Sequence, residues 1–545
     1  MQMTTGNYDY IIVGAGSAGC VLADKLSESG RYKVLLIEAG GTDRKFWIKL
    51  PLGYGFTFSD PKVNWRYNAE KDPGLKGRDA YWPRGRVLGG SSSINAMAYA
   101  RGLPHDFDDW EQAGATGWNW GQVEPEYDAL ERNDEFDANG KRQTRGDGPV
   151  WVSDLSDQMH PFSQRFLQAA QDINWPVTKN FNGPEKEGLS MIRATVRKGF
   201  RWSSADAFLR PAKKRSNLEV VTNALVEKVT MHEGRANGVR YRIGDKNHEA
   251  SATREVILSA GAINSPQLLQ LSGIGPGALL KQHNIKVERD LSQVGLGLQD
   301  HLAVSHYYQS TEPTLNNRLG NKFGQLLAGM QYVLTRKGPL SVPVNQCGGF
   351  VRSDAATTGP DVQVYCNPAS YSVPATGRPQ IDQKPGFLLS VQPCRPTSRG
   401  EIKIASANPS EAPIIQPNSL STEHDQHIAV RASKLLQSLA VSPTISQVTR
   451  ERMAPDITTM DDNALLENFR ARAGTVFHPS CTCRMGRDET DSVLDARLRV
   501  HGVRGLRVID ASAFPNVTSG NTNAPTLMLA MKAAKMVLQD AEISV

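Results

Sequence analysis

DYIIVGAGSAGCVLADKL, residues 9–26, followed by KVLLIEAG, residues 33–40, constrains the fold more tightly than any other part of the chain. Residues 8–13 are β-rich and end at a glycine. A helical pattern carrying Cys20, Val21, Ala23 and Leu26 follows, and a second apolar run closes on Glu38. Strand, Gly-x-Gly-x-x-Gly, helix, strand and acid in that order make a dinucleotide-binding βαβ unit. Gly14 allows the tight turn, Gly16 admits a pyrophosphate close to the backbone, and Gly19 lets the helix lie against the strand. The helix N-terminus, at Gly16, Ser17 and Ala18, then faces the phosphates with unpaired N–H groups. Glu38, nineteen residues past Gly19 and followed by Ala39, is placed to accept from ribose hydroxyls.

Later stretches read as further parts of the same unit. Residues 217–242 alternate apolar and polar side chains about a turn near Glu233-Gly234, as in a small antiparallel meander. From Arg254 a buried strand and a glycine turn lead into a helix from about Ser265, with Pro266 in its first turn. From Gly505 another buried strand ends at Asp510, and Pro525 opens a long apolar helix. The expected fold is therefore α/β: a Rossmann-like domain gathered from residues 1–158, 198–312 and 466–545. Residues 159–197 and 313–465 form an inserted substrate domain built on an antiparallel sheet. Within the insert, residues 361–366 and 386–394 read as strands and residues 427–439 as a helix, while residues 137–149 read as an exposed loop.

Charge and composition exclude several classes. Basic and acidic residues number 62 and 56, mixed along the chain, and Lys213-Lys214-Arg215 reads as a solvated loop, so no nucleic-acid footprint is expected. A mean hydropathy of −0.41 with no 18-residue apolar stretch predicts no transmembrane helix. The N-terminus shows no secretory pattern, and six scattered cysteines do not make a disulfide framework. A cytoplasmic location follows, or a peripheral one at the inner membrane. HPSCTCRMG, residues 478–486, places a histidine ahead of a Cys-x-Cys. Two thiols without a second ligand pair do not predict zinc. The residues alone leave open a redox pair or a catalytic histidine.

Five separated motifs now bear on that question. The βαβ unit, PRGRVLGGSSSINAMAYARG (83–102), GAINSPQLLQLSGIG (261–275), VGLGLQDHL (294–302) and the pair HPSCTCRMG and GNTNAPT together resemble the glucose–methanol–choline (GMC) oxidoreductases. The likeness runs nearly end to end and looks nearest to bacterial choline-dehydrogenase-like alcohol dehydrogenases. It implies a resident FAD. Arg86, Gly89, Gly90, Ser91, Asn95, Ala96 and Met97 would run beside its isoalloxazine and pyrophosphate, and Val226 would hold the adenine half. Asp510 and Ala511 would lie near the ribityl chain, and Asn521, Thr522, Pro525 and Thr526 would border the pyrimidine ring. A helix starting near Pro525 aims its positive end at that ring, where negative charge gathers on reduction. By the same resemblance His478 is the catalytic base and Asn521 its partner, with Cys481 and Cys483 as packing.

Two departures shape the substrate and cofactor expectations. Some relatives bind FAD covalently through a histidine where Ile94 stands here, so the flavin is expected to be non-covalent. The segment 342–352, expected to face the substrate, contains no acid to meet a trimethylammonium group. The reading is FAD-dependent oxidation of a primary, uncharged small-molecule alcohol to an aldehyde. His478 takes the hydroxyl proton and hydride passes to flavin N5. Oxygen or a quinone-linked carrier would be the acceptor. The rivals are an oxygen-using oxidase of the same family, an FAD-containing lyase on the same fold, and an NAD-dependent reductase sharing only the first βαβ unit.

Overall fold

The computed structural model describes residues 5–137, 139–372 and 380–543. Its first large sheet runs Leu218–Thr222, Val34–Glu38, Thr5–Val13, Lys246–Leu258, Arg235–Ile243, Ala224–His232, with Leu506–Val508 also paired to Lys246–Leu258. Thr5–Val13, Val34–Glu38, Lys246–Leu258 and Leu506–Val508 meet in parallel pairs. Such strands are covered on both faces, which is why they read as continuous apolar runs. Helices Ser17–Ser27 and Asn523–Ile543 pack in the same core cluster.

Three local expectations change. The meander holds for Ala224–His232 and Arg235–Ile243, which turn at Glu233 and Gly234. Leu218–Thr222, however, pairs in parallel with Val34–Glu38 at the sheet edge. Asn223, in left-handed backbone with φ 56°, redirects the chain between the two strands, a break that alternation alone does not reveal. The helix expected from Ser265 already begins at Gly261 and runs to Leu271, so Pro266 is interior. The proline leaves the Ala262 carbonyl without its helical donor. The Thr482 hydroxyl supplies one at 2.6 Å. Lastly, the stretch 137–149 carries a strand, Arg142–Arg145, on Glu131–Phe136. Diagonal ion pairs join the two strands, Arg142 with Asp134 and Arg145 with Glu135, both at 3.2 Å, so no apolar alternation announces it.

The second large sheet is antiparallel: Thr449–Arg452, Leu302–Ser310, Gly386–Pro393, Val362–Asn367, Cys347–Val351, Gly188–Met191. The helix Glu423–Ala440, longer than expected, shares its core with the helix Ser163–Asp172. Leu302–Ser310, assigned by sequence to the first unit, is a strand of this second sheet and also pairs with Gly474–Thr475. The chain therefore crosses between the sheets just before residue 302, and returns just before His478. No described helix is long and apolar enough to cross a membrane.

Candidate active site

A cavity of about 1320 Å³ takes walls from both sheets. Pockets for one small ligand run to roughly 300–1,000 Å³, so this one has room for a dinucleotide and a second molecule. Its first wall includes Gly14, Gly16, Ser17, Ala18, Glu38, Ala39, Val226, Asp510, Ala511, Thr522 and Thr526, all anticipated from sequence. Gly14 has φ +98°, and a Cβ on Gly19 would lie 1.9 Å from the Gly14 carbonyl oxygen, so that glycine serves packing. A Cβ on Gly16 would meet nothing closer than 3.8 Å, and one on Gly261 nothing within 4 Å. Both therefore present bare backbone to open space.

The N-termini of Ser17–Ser27, Gly261–Leu271 and Asn523–Ile543 all reach this wall, and the Ser17 hydroxyl donates to Asn523 Oδ1 at 2.8 Å. Helix starts converging on one space suit an anionic dinucleotide. The buried Glu38 accepts from the N–H groups of Ala15 and Gly40, both at 2.8 Å. Burial nonetheless holds its pKa at about 7, and each carboxylate oxygen keeps a lone pair for a ribose hydroxyl. Asp510 accepts from Gly261 N at 2.9 Å, Ser265 Oγ at 2.6 Å and Ser512 N at 2.8 Å. It ties the third strand end to the second helix start. These features fit FAD.

Gly90, Ser91, Asn95, Ala96 and Met97 line the cavity, whereas Arg86, Gly89 and Pro525 stand off its wall. Arg86 stacks on Trp65 at 4.8 Å, Gly89 donates to the Ala15 carbonyl at 2.8 Å, and Pro525 is buried in the first turn of its helix. Their positions are supporting ones. Sequence reasoning missed Arg201, a fully buried guanidinium that donates to Asn95 Oδ1 at 2.7 Å and Ile48 O at 2.9 Å. Burial brings its pKa down to about 9. Ile94 also lines the cavity, packed with Ile48, Val63 and Val87.

At the other end stand His478 and Asn521, joined Nε2 to Nδ2 at 3.2 Å. A chain of buried hydrogen bonds fixes their roles. The Cys394 carbonyl can only accept, so His301 Nε2, at 2.8 Å, carries a proton. A neutral His301 then has an accepting Nδ1, which lies 3.0 Å from His478 Nδ1, so the latter is the donor. His478 Nε2 is left with its lone pair directed at the Asn521 amide N–H and the cavity. Tyr365 Oη donates to Asn521 Oδ1 at 3.0 Å, which orients that amide. Burial pulls both imidazoles down, His301 to about 4 and His478 well below its usual value, the latter helped by His301 and Arg84. Both are neutral near pH 7, as the chain requires.

The backbone around His478 is held just as firmly. Its N–H donates to Asp300 Oδ1 at 2.7 Å, and the Thr475 hydroxyl donates to the other oxygen of that carboxylate. Burial raises Asp300 to about 6. Phe477 sits in left-handed backbone, φ 70°, a conformation a bulky side chain rarely adopts. Thr475 Oγ1 accepts its N–H at 2.8 Å and Arg84 donates to its carbonyl at 2.5 Å. Val476 and Phe477 both line the cavity. The sequence signal for His301 and Asp300 is VGLGLQDHL, a stretch whose residues alone name no chemical role.

The Cys-x-Cys is a segment held against the helical turn Ala511–Ala513. Cys481, Cys483 and Met485 donate N–H to the carbonyls of Ala511, Ser512 and Ala513 at 3.1, 2.8 and 2.9 Å. Both thiols are buried, with Cys481 pushed up to about 11 by desolvation. Among the described residues no three His, Cys, Asp or Glu side chains are grouped to hold a metal.

A dinucleotide-binding fold whose cavity ends on a buried neutral histidine is the arrangement of an oxidoreductase that uses a nucleotide cofactor. Residues 8–303 match the N-terminal domain of the GMC oxidoreductases and residues 396–530 their C-terminal domain. The chain is 41% identical to the oxygen-dependent choline dehydrogenase of Photobacterium profundum, covering 98% of this chain and 94% of that one. It is 39% identical to the alcohol dehydrogenase [acceptor] of Pseudomonas putida, covering 98% and 97%. Among solved structures, pyridoxine 4-oxidase from Mesorbium loti superposes with a TM-score of 0.85 at 29% identity, covering 97% of this chain and 98% of that one. The chain belongs to the GMC oxidoreductase family and is an FAD-dependent enzyme acting on CH–OH donors.

Proposed function

We propose that this enzyme oxidises a primary, uncharged alcohol to an aldehyde with His478 as the base. The observation that carries the reading is the hydrogen-bond chain from Cys394 through His301, which leaves His478 Nε2 unprotonated at the cavity. An alcohol hydroxyl placed beside Asn521 gives its proton to Nε2, while the Asn521 amide holds the oxygen without competing for that proton. FAD, when bound, supplies the acceptor for the hydride that leaves the alcohol carbon. The cofactor residues named from sequence belong to this proposal, as does the division into dinucleotide-binding and substrate parts. Non-covalent retention belongs to it too: His478 is the only histidine, and no cysteine occurs, among the described cavity-lining residues.

An uncharged substrate is supported by the acids of the cavity. Among the described lining residues these are Glu38 and Asp510, both bound to backbone N–H groups at the ends of the first sheet's strands. A choline-like substrate is the second reading, favoured by Tyr307 and Tyr371, which line the cavity edge-to-face at 5.8 Å. For the acceptor we favour a quinone-linked carrier over oxygen, and for location the cytoplasm or the periphery of the inner membrane. Six free, buried cysteines are at home in a reducing compartment. An anaerobic screen of aliphatic, aromatic, sugar and choline-type alcohols for flavin bleaching, followed by air, tests these points. Bleaching by choline alone would replace the first substrate reading, and no bleaching by any alcohol would favour a lyase.

A further inference from the structure

The helix Lys322–Thr335 is amphipathic with its sides reversed. Gly324, Ala328 and Tyr332 face the protein, and a Cβ on Gly324 would lie 2.0 Å from the Arg318 carbonyl oxygen, so the inner face is small by necessity. The outer face carries Phe323, Leu326, Leu327, Met330, Val333 and Leu334, with Leu334 83% exposed. Six large apolar side chains at helical spacing form one solvent-facing stripe, far from the scattered single residues of an ordinary surface. The stripe continues sideways. Tyr332 Oη donates to Gly199 O at 2.9 Å, which brings exposed Phe200 alongside, and exposed Phe46 and Trp47 lie beyond it.

Cations outnumber acids along the edge of this surface. Residues 313–353 contain Arg318, Lys322, Arg336, Lys337 and Arg352 and no acid, in a chain whose acids and bases are otherwise near balance. Lys198, Lys322 and Lys337 are exposed and make no ion pair among the described residues. A cleft of about 550 Å³ lined by Arg44, Lys45, Phe46, Lys198 and Phe200 opens beside the stripe. Asp43 and Asp206 beside it are already paired with Lys49 and Arg210, and Asp60 with Lys45. An apolar helix face bordered by unneutralised lysines and exposed aromatics is the pattern of a helix lying in a membrane interface. A second copy of the chain fits less well, because a two-fold contact would press the same cations together.

We infer that this face docks on a bilayer rich in anionic phospholipid, with lipid phosphates meeting the Lys198–Lys337 side. Phe46, Trp47, Gln325, Gly329 and Tyr332 also line the 1320 Å³ cavity, so docking sets its mouth at the lipid surface. The surface stands apart from the substrate reading above and is tested without it. Purified flavoprotein is sedimented with vesicles of phosphatidylglycerol and phosphatidylcholine, and with phosphatidylcholine alone. The wild type pellets with the anionic vesicles, releases in high salt, and stays largely free of neutral ones. Leu326→Gln with Leu334→Gln, and separately Lys198→Glu with Lys337→Glu, lower binding by more than about tenfold. Both variants retain full FAD content. A wild type that ignores anionic vesicles overturns the inference, whatever the variants do. So does a wild-type dimer that the leucine variant splits, with no vesicle binding.

Discussion

Replacing His301 with leucine isolates the feature on which the proposed chemistry depends. His301 touches no open part of the cavity; it acts through its Nδ1, which accepts the His478 Nδ1 proton at 3.0 Å. Leucine fills similar space and leaves that buried N–H without an acceptor, a loss of about 1–3 kcal/mol. The acceptor that holds the proton on Nδ1 is gone, so the preference for the tautomer with Nε2 free is lost and the competent fraction shrinks. At about 1.4 kcal/mol per tenfold, the flavin-reduction rate constant at saturating alcohol should drop roughly tenfold to a hundredfold. FAD content should stay near wild type, since Cys394 and His301 lie behind the catalytic end. His301→Gln, which restores an acceptor, should recover much of the loss. Stopped-flow absorbance at the flavin band under anaerobic conditions reads these constants. A His301→Leu enzyme that keeps its FAD and reduces at the wild-type rate would refute the relay.

Three further outcomes follow from the same geometry. The reduction rate constant should stay flat as pH falls past 6.5. His478 is held well below its usual pKa by burial, and an unprotonated base loses activity only as pH drops through its own lowered value; a rate that halves near neutral pH would contradict this. Gly16→Val puts a branched side chain into the bare backbone approach, so the protein should purify largely colourless, and full FAD occupancy would deny the phosphate site. Acid precipitation should release all flavin as intact FAD, because Ile94 offers only hydrocarbon; fluorescence left on the denatured band in a gel would show a covalent bond.

Legibility in the sequence followed the length scale of each interaction. The βαβ unit was readable because turn glycines, apolar runs and an acid sit within forty residues and each has one physical task. The antiparallel sheet was readable from strands such as Gly386–Pro393, but its membership was not. Leu302–Ser310 looks like its sequence neighbours while pairing with residues far along the chain. Pro266 misplaced a helix start because the hydroxyl that rescues its missing bond comes from Thr482. At the site, His478 and Asn521 stood in recognisable motifs. The residues that set their proton state, His301, Tyr365 and the Cys394 carbonyl, come from three other segments. Their role exists only in three dimensions. The solvent-facing stripe of residues 322–335 was invisible for the opposite reason: its period is that of any buried helix, and only packing shows which side faces out.

Alcohol oxidation with His478 as base is met most directly by one paired measurement. Wild type and His478→Ala, both with FAD bound, are mixed anaerobically with the best alcohol from the screen, and flavin bleaching is followed in time. Wild type should bleach rapidly, and the variant at a rate about a hundredfold to ten-thousandfold lower. Equal rates in the two proteins would contradict that role for His478.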